Sequence, residues 1–176
     1  MTISAFATVR SRLNTNLSAS INGAEVSVFS HATEDEAKVR KAVFNLVHEE
    51  YSKSGLATQG LTGHYNDPLV LMTLKIVGRK NTFEAFKQIM EKLSTQDRLR
   101  LLDEAGDRVD EAGNLYVRLD KQRAFGGVAV LNDPDPIRVK FKFRIPHGSD
   151  PAVAVRSFIL NVIDEIEGVS KEEDKQ

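Results

Sequence analysis

Four basic residues alternate with apolar residues along one short stretch near the C-terminal end of the sequence. The basic residues are Arg138, Lys140, Lys142 and Arg144, and the apolar residues are Ile137, Val139, Phe141, Phe143 and Ile145. Because successive side chains of a strand point to opposite faces, the pattern predicts a strand with one buried face and one basic face. Grouped cations repel one another, so this face suits an anionic partner, with nucleic-acid phosphate as the first candidate. A structural role, in which the charges prevent edge-to-edge aggregation, accounts for the same pattern.

A second stretch, residues 115–120, also alternates and adds residues to the same face if the two strands share one sheet. It places Tyr116 and Arg118 outward, and Lys121 and Arg123 follow in or near a loop. Several RNA-binding modules combine basic side chains for phosphates with an aromatic side chain that stacks on bases. The predicted RNA-binding residues are therefore Tyr116, Arg118, Lys121, Arg123, Arg138, Lys140, Lys142 and Arg144.

Two histidines, His31 and His64, each stand at the end of a predicted strand, where binding residues are common. With Tyr65 they define a candidate loop site. Histidines near carboxylates such as Glu34 could serve a metal-dependent or general acid–base hydrolase. Their spacing matches no helical two-histidine ligand pair, so we predict no catalytic residue and no metal site. We expect His31 to fix a strand–helix junction through a hydrogen bond.

The composition excludes several classes of function. The formal net charge of the 176-residue chain is −1, so an anion site must be a local patch. The chain has no cysteine, which excludes disulfides, thiolate metal sites and cysteine nucleophiles. It has no apolar run of about 18 residues, so we expect a soluble cytoplasmic protein that does not contact membranes. Phosphate-binding glycine loops, dinucleotide fingerprints and nucleophile elbows are absent from the sequence, and we predict no cofactor.

The elements that position these residues predict an α+β fold, with a single antiparallel or mixed sheet and helices on one face. Residues 1–23 are predicted as an irregular or strand-like lead-in, 24–168 as one domain, and 169–176 as a mobile charged tail. Strands are predicted at residues 24–31, 56–64, 69–77, 115–120, 128–131 and 137–145, the last three forming a meander. Helices are predicted to begin near residues 33, 81, 94 and 151. The first two start at capping boxes led by Thr33 and Asn81, the first ends near Tyr51, and the last ends at Gly168.

Three segments together resemble one known family. They are His31-Ala32-Thr33-Glu34-Asp35, Gly63-His64-Tyr65-Asn66-Asp67-Pro68 and Leu115-Tyr116-Val117-Arg118-Leu119-Asp120-Lys121-Gln122. They are similar to archaeal RNA-binding proteins described as predicted exosome subunits, and the likeness extends over residues 24–145. The resemblance implies a fold similar to the ribosomal protein that binds the smallest large-subunit RNA. It also implies a non-enzymatic RNA-binding role near RNA degradation or ribosome assembly, with exosome or ribosomal components as partners.

Three functional hypotheses follow from the sequence. The first is an RNA-binding protein that recognises structured RNA through the basic sheet face and adjacent loops. The second is a protein-interaction module, in which the same cations meet an acidic partner or a second copy of the chain in a homodimer. The third is a metal-dependent nuclease or phosphoesterase that uses His31 and His64.

Overall fold

The computed structural model describes residues 19–63 and 66–173, with side chains through residue 168. One five-stranded antiparallel sheet has the strand order β2-β3-β1-β5-β4. The strands are β1 (Ser20–His31), β2 (Leu56–Thr62), β3 (Pro68–Val77), β4 (Asn114–Leu119) and β5 (Ile137–Arg144). The helices are α1 (Glu36–Leu46), α2 (Arg79–Lys92), α3 (Thr95–Asp103), α4 (Ala105–Arg108), α5 (Lys121–Phe125) and α6 (Pro151–Glu173). The predicted α+β class with a single sheet is confirmed.

The apolar side of β5 forms the centre of the core, as its alternation predicts. Phe141 and Phe143 are buried and meet two helices there. The ring of Phe141 lies 5.0 Å from that of Phe86 on α2, and the ring of Phe143 lies 5.0 Å from that of Phe158 on α6, both edge-to-face. These contacts hold α2 and α6 on the inner face of the sheet, so the alternate side chains of β5 point away from the core.

The start of α1 differs from the prediction by two residues. Asp35 is the N-cap, because its Oδ1 atom accepts a hydrogen bond of 2.9 Å from the backbone N–H of Ala37. Glu34 instead accepts a hydrogen bond of 2.9 Å from the backbone N–H of His31. The predicted capping role of Thr33 is therefore wrong, and α1 ends at Leu46, followed by a short 3₁₀ turn at Glu49–Tyr51.

The second predicted capping box is also wrong. Helix α2 begins two residues before Asn81, after Gly78 at φ 97°, a conformation that favours glycine. Thr82 belongs to the first turn of the helix and donates its hydroxyl hydrogen to the Gly78 carbonyl over 2.7 Å. By contrast, α3 begins at Thr95, next to its predicted start near residue 94, and Ser94 is its N-cap.

Residues 128–131 do not form a sheet strand, so the predicted three-strand meander is wrong. They make only isolated bridges, such as Leu119 with Leu131, while β4 pairs directly with β5. After β4 the chain turns into the short helix α5 at Asp120, so it does not fold straight back as a second strand. The Asp120 side chain caps α5 by accepting a hydrogen bond of 2.8 Å from the N–H of Arg123, and also accepts one of 2.9 Å from Asn132.

The chain ends of the domain also differ from expectation. Strand β1 begins at Ser20, so residues 20–23 belong to the sheet, whereas the rest of the predicted lead-in before residue 19 lies outside the described residues. Helix α6 continues past Gly168 to Glu173, so most of the predicted charged tail is helical. In the described part of the chain, no helix is long and apolar enough to cross a membrane.

Candidate nucleic-acid interface

The outward side chains of β4 and β5 form one continuous surface, which we call the basic face. Its members are Tyr116, Arg118, Arg138, Lys140, Lys142 and Arg144. All six are exposed except Lys140, which is half-buried. None of the ion pairs found in the described residues involves Arg138, Lys140, Lys142 or Arg144. The cations predicted to point outward do so.

Two arginines lie directly opposite one another on this face. Arg118 of β4 and Arg138 of β5 are partners in the strand register, an arrangement that is destabilising for like charges. Asp133 lies 3.3 Å from the Arg118 guanidinium. The guanidinium of Arg138 lies 5.9 Å from the ring centroid of Phe29, where the negative face of the ring attracts a cation. A carboxylate and a ring therefore offset the repulsion within the pair.

Tyr116 is anchored at its hydroxyl and half exposed at its ring. The hydroxyl donates a hydrogen bond of 3.0 Å to Asp110 Oδ2, and the Lys140 ammonium lies 5.5 Å from the ring centroid. Asp110 also accepts hydrogen bonds from the side chain and backbone N–H of Asn114 and from Ala112. Those hydrogen bonds, with Asn114 contributing most, lower the pKa of Asp110 below its ordinary value. The Tyr116 ring is thereby fixed at the edge of the basic face.

Strand β1 supplies outward residues that the sequence analysis did not select. Phe29 and Glu25 alternate with buried residues of β1 and share the outward side of the sheet with the basic face. Lys75 of β3 and Lys140 of β5 are the two register partners of Glu25. The alternation within β1 marks these side chains as outward, but only the strand order shows that β1 lies beside β5.

Lys121 is not the exposed loop cation that the sequence predicts. It is the first residue of α5, and only 7% of its surface is exposed. Its ammonium contacts the Phe29 carbonyl at 2.9 Å, Glu34 Oε2 at 2.8 Å and Asp135 Oδ2 at 2.6 Å. These three acceptors match the three N–H donors of an ammonium, so Lys121 is already satisfied. Arg123, by contrast, is exposed on α5, which is a helix and not the predicted loop.

His31 joins the same group, which we call the Lys121 cluster: Lys121, His31, Glu34 and Asp135. His31 Nε2 lies 3.2 Å from Asp135 Oδ1. The ligand atoms of His31, Glu34 and Asp135 lie within 4.8 Å of one another, which is close enough to share a metal ion. The Lys121 ammonium already bridges both carboxylates, so a metal ion would have to displace a cation of the protein itself. The cluster therefore fits a structural role better than a metal centre.

The remaining two residues of the predicted loop site, His64 and Tyr65, lie outside the described residues. Of the residues on either side of them, Gly63 donates its backbone N–H to the Asp67 carbonyl over 2.8 Å.

Comparison with known proteins identifies the family to which the chain belongs. A family model described as RNA binding matches residues 23–143, from β1 into β5. The chain belongs to this RNA-binding family. An RNA-binding protein of Pyrococcus abyssi is 33% identical over 122 residues, which are 68% of this chain and 79% of the relative.

Two solved structures support the assignment. A crystal structure of a protein from Archaeoglobus fulgidus is 29% identical with a TM-score of 0.68, covering 81% of this chain and 99% of that one. A protein from Methanothermobacter thermautotrophicus is 26% identical with a TM-score of 0.62, covering 83% and 97%. The match to the family model includes every member of the basic face except Arg144, which lies one residue beyond it.

Proposed function

We propose that this protein is a non-enzymatic RNA-binding protein that contacts RNA phosphates through the basic face. The observation that carries the proposal is the exposure of Lys142 and Arg144, which belong to no ion pair among the described residues. On a chain of net charge −1, such cations form a local anion site. Membership in the RNA-binding family supports RNA as the anion.

The physical reason is the difference between the two sides of β5. The inner side makes aromatic contacts that contribute to folding. The outer side carries mutual repulsion among its cations, which Asp133 and Phe29 offset at the Arg118–Arg138 pair and which no ion pair among the described residues offsets at Lys142 and Arg144. Phosphates that bind between the cations replace this repulsion with attraction and release the counterions of the RNA. The outward cations therefore contribute favourable electrostatic free energy to RNA binding, although they contribute none to folding.

The test is a titration of RNA binding against salt concentration. Four to six phosphate contacts on single-stranded RNA predict a slope of roughly −3 to −4 in a plot of log Kobs against log salt, from about −0.7 per phosphate. A slope near zero would remove the proposal, because the cations would then make no contact with phosphates.

The biological setting is a finer part of the proposal. We propose structured RNA as the ligand, the cytoplasm as the location, and exosome or ribosomal components as partners. The support is the resemblance of the His31–Asp35 and Leu115–Gln122 segments to archaeal proteins described as predicted exosome subunits. Affinity purification with and without ribonuclease tests it: recovery of those components only without ribonuclease indicates RNA-mediated contact. Recovery of an acidic protein partner after ribonuclease treatment supports the protein-interaction hypothesis instead.

The geometry does not favour the nuclease hypothesis. His31 is hydrogen-bonded to Asp135, and the carboxylates of Glu34 and Asp135 are both held by Lys121. Both carboxylates are therefore neutralised by a cation of the protein itself, which disfavours their use as metal ligands or as a general base. RNA cleavage by purified protein that is lost in His31→Ala, with folding retained, would nevertheless establish it.

A specific observation favours self-association as a second candidate function. Among the described residues, strand β2 is an edge of the sheet and pairs with β3 alone. Its sequence, Leu-Ala-Thr-Gln-Gly-Leu-Thr, has no charge. Residues 57–62 are all exposed. Natural edge strands are commonly protected by charge or proline, and this one is not. Antiparallel pairing of β2 with a second copy would place no like charges opposite one another.

Analytical ultracentrifugation of the protein and of Thr58→Lys tests this candidate. A dimer is expected to dissociate when a lysine is added to each edge. A monomer at all protein concentrations would end the candidate function without affecting RNA binding by the basic face.

A further inference from the structure

We propose that the RNA segment on the sheet is unpaired, and that two of its bases stack on the rings of Phe29 and Tyr116. This inference rests on the proposed function and names its ligand more narrowly. Structured RNA offers such segments in loops, bulges and ends, where bases can be splayed out.

The first observation is that the outward side of the sheet carries, among the described residues, the ring of Phe29 as well as that of Tyr116. Phe29 is half-buried on β1, and Tyr116 is 39% exposed on β4. The strand order places β5, with its cations, between them. Cations flanked by aromatic rings on an open groove are the combination that binds single strands without base pairing.

The second observation is the separation of the two rings. Tyr116 is in register with Lys140 and Glu25, and Glu25 lies four residues from Phe29 along β1. Two strand spacings and four residues of strand rise place the two Cα atoms about 16 Å apart. Bases stacked directly on one another are only about 3.4 Å apart. The rings therefore fit two non-adjacent bases of an extended strand.

The third observation is what lies between the rings. Arg118, Arg138 and Ser27 are register partners, midway along β1 between Glu25 and Phe29. The paired arginines thus face the backbone that connects the two bases, and its phosphates relieve their mutual repulsion. Tyr116 on β4, the two paired arginines and Phe29 on β1 therefore lie along one diagonal path across β4, β5 and β1.

The rings are also preorganised for stacking. The hydroxyl of Tyr116 is held by Asp110, so the ring loses little freedom when a base stacks on it. Arg138 lies over Phe29 with a planar guanidinium that can itself stack on a base. In an A-form duplex the bases are stacked inside the helix and reach neither ring, so the path discriminates against paired RNA.

The experiment compares the binding of a single-stranded oligonucleotide with that of a duplex of equal length at fixed salt, for the full chain and for Phe29→Leu and Tyr116→Leu. Each substitution keeps an apolar side chain and removes one ring. We expect each to weaken single-strand binding at least about fivefold, since a stacked base contributes about 1–3 kcal/mol. The salt slope should remain unchanged, because no phosphate contact is removed.

Two control variants separate stacking from general damage. Phe125→Leu removes an exposed ring that lies under Lys41 on the helical side of the molecule, 5.2 Å from its ammonium, and should have no effect. Tyr116→Phe keeps the ring and loses only the hydroxyl that bonds to Asp110, so it should retain more of the single-strand binding than Tyr116→Leu does. Thermal unfolding is used to check that each variant is folded. Of the two ring removals, Tyr116→Leu should disturb folding less than Phe29→Leu, because Tyr116 is the more exposed residue.

The outcomes distinguish the inference from the proposed function. The inference is overturned if single strand and duplex bind equally well, or if neither ring removal weakens binding by a folded variant. In either case a steep salt slope would still support the proposed function. Absence of salt-dependent binding to either RNA overturns both. A preference for the single strand, lost with either ring, supports both.

Discussion

The sequence predicts both Lys121 and Lys142 as RNA-binding residues, yet the structure gives the two side chains opposite environments. Lys121 is buried and its ammonium is bonded to three acceptors within the Lys121 cluster. Lys142 is exposed on the basic face and belongs to no ion pair among residues 19–63 and 66–168. We therefore expect a positive charge to be available to RNA only where the fold leaves that charge unsatisfied. The comparison separates residues that stabilise the fold from residues available to a ligand.

The largest expected effect is on stability, from Lys121→Gln. The change leaves Glu34 and Asp135 without their shared cation, and breaking a buried pair costs about 3–5 kcal/mol. Glu34 and Asp135 are 31% and 45% exposed at their side chains, so solvent recovers part of that cost. We expect the free energy of unfolding to fall by about 2–3 kcal/mol in a denaturant titration.

The same variant should bind RNA with an unchanged salt slope under conditions where it is folded. A salt slope that is shallower by about 0.7, the value of one phosphate contact, with full stability retained, would show that Lys121 contacts RNA. The contrast between Lys121 and Lys142 would then be wrong.

The opposite pattern is expected for Lys142→Glu combined with Arg144→Glu. Two lost phosphate contacts make the salt slope shallower by about 1.4 and weaken binding at least about tenfold near 0.1 M salt. The thermal midpoint should hardly change, because exposed substitutions of this kind stay within about 0.5 kcal/mol.

A matched control exists on the helical side of the molecule. Lys38→Glu with Arg40→Glu on α1 changes the same residue types at two exposed positions. Equal losses of RNA affinity in the two double variants would show that net charge, and not the basic face, controls binding.

The sequence was sufficient to predict which side chains of β5 are buried and which are exposed, but it was insufficient to predict the burial of Lys121. Alternation is a local property of a strand, so the burial of Phe141 and the exposure of Lys142 follow from neighbouring residues alone. The burial of Lys121 depends on Glu34, which is 87 residues away in the chain. Phe29 joined the candidate site only once β1 was known to lie beside β5.

The same limit explains the wrong strand at residues 128–131. An apolar run predicts burial, and Ala129 and Leu131 are indeed buried. Whether such a run joins a sheet depends on the partner that its backbone finds. Here the short helix α5 comes between β4 and this run, and β5 takes the place beside β4.

A smaller effect of opposite sign is expected from Glu25→Gln. Glu25 is the register partner of both Lys75 and Lys140, and its charge opposes phosphates that approach β5. Removing that charge should strengthen RNA binding about twofold, as expected for exposed charge pairs worth about 0.2–1 kcal/mol. Weaker binding in a salt titration of Glu25→Gln would indicate that the carboxylate contacts the RNA itself.

The smallest effect is the pH dependence that Asp110 contributes to stability. Its hydrogen bonds lower its pKa from the ordinary 3.8, so the folded protein holds the ionised form more firmly than the unfolded chain does. That stabilisation is complete above the ordinary value and is lost as the pH falls through the lowered one. The thermal midpoint of Asp110→Asn should therefore differ from that of the natural protein at about pH 5, and the difference should shrink as the pH falls below the ordinary pKa of 3.8. A constant difference across that range would assign the effect to another group.

The most direct test of the central claim is an NMR titration of the isotopically labelled protein with a single-stranded RNA oligonucleotide. The claim is that RNA lies on the basic face, so the largest amide shift changes should fall on β4 and β5 and at Phe29, with those of α1 and β2 unchanged. Shift changes confined to the helical side, or to the uncharged edge at β2, would contradict it.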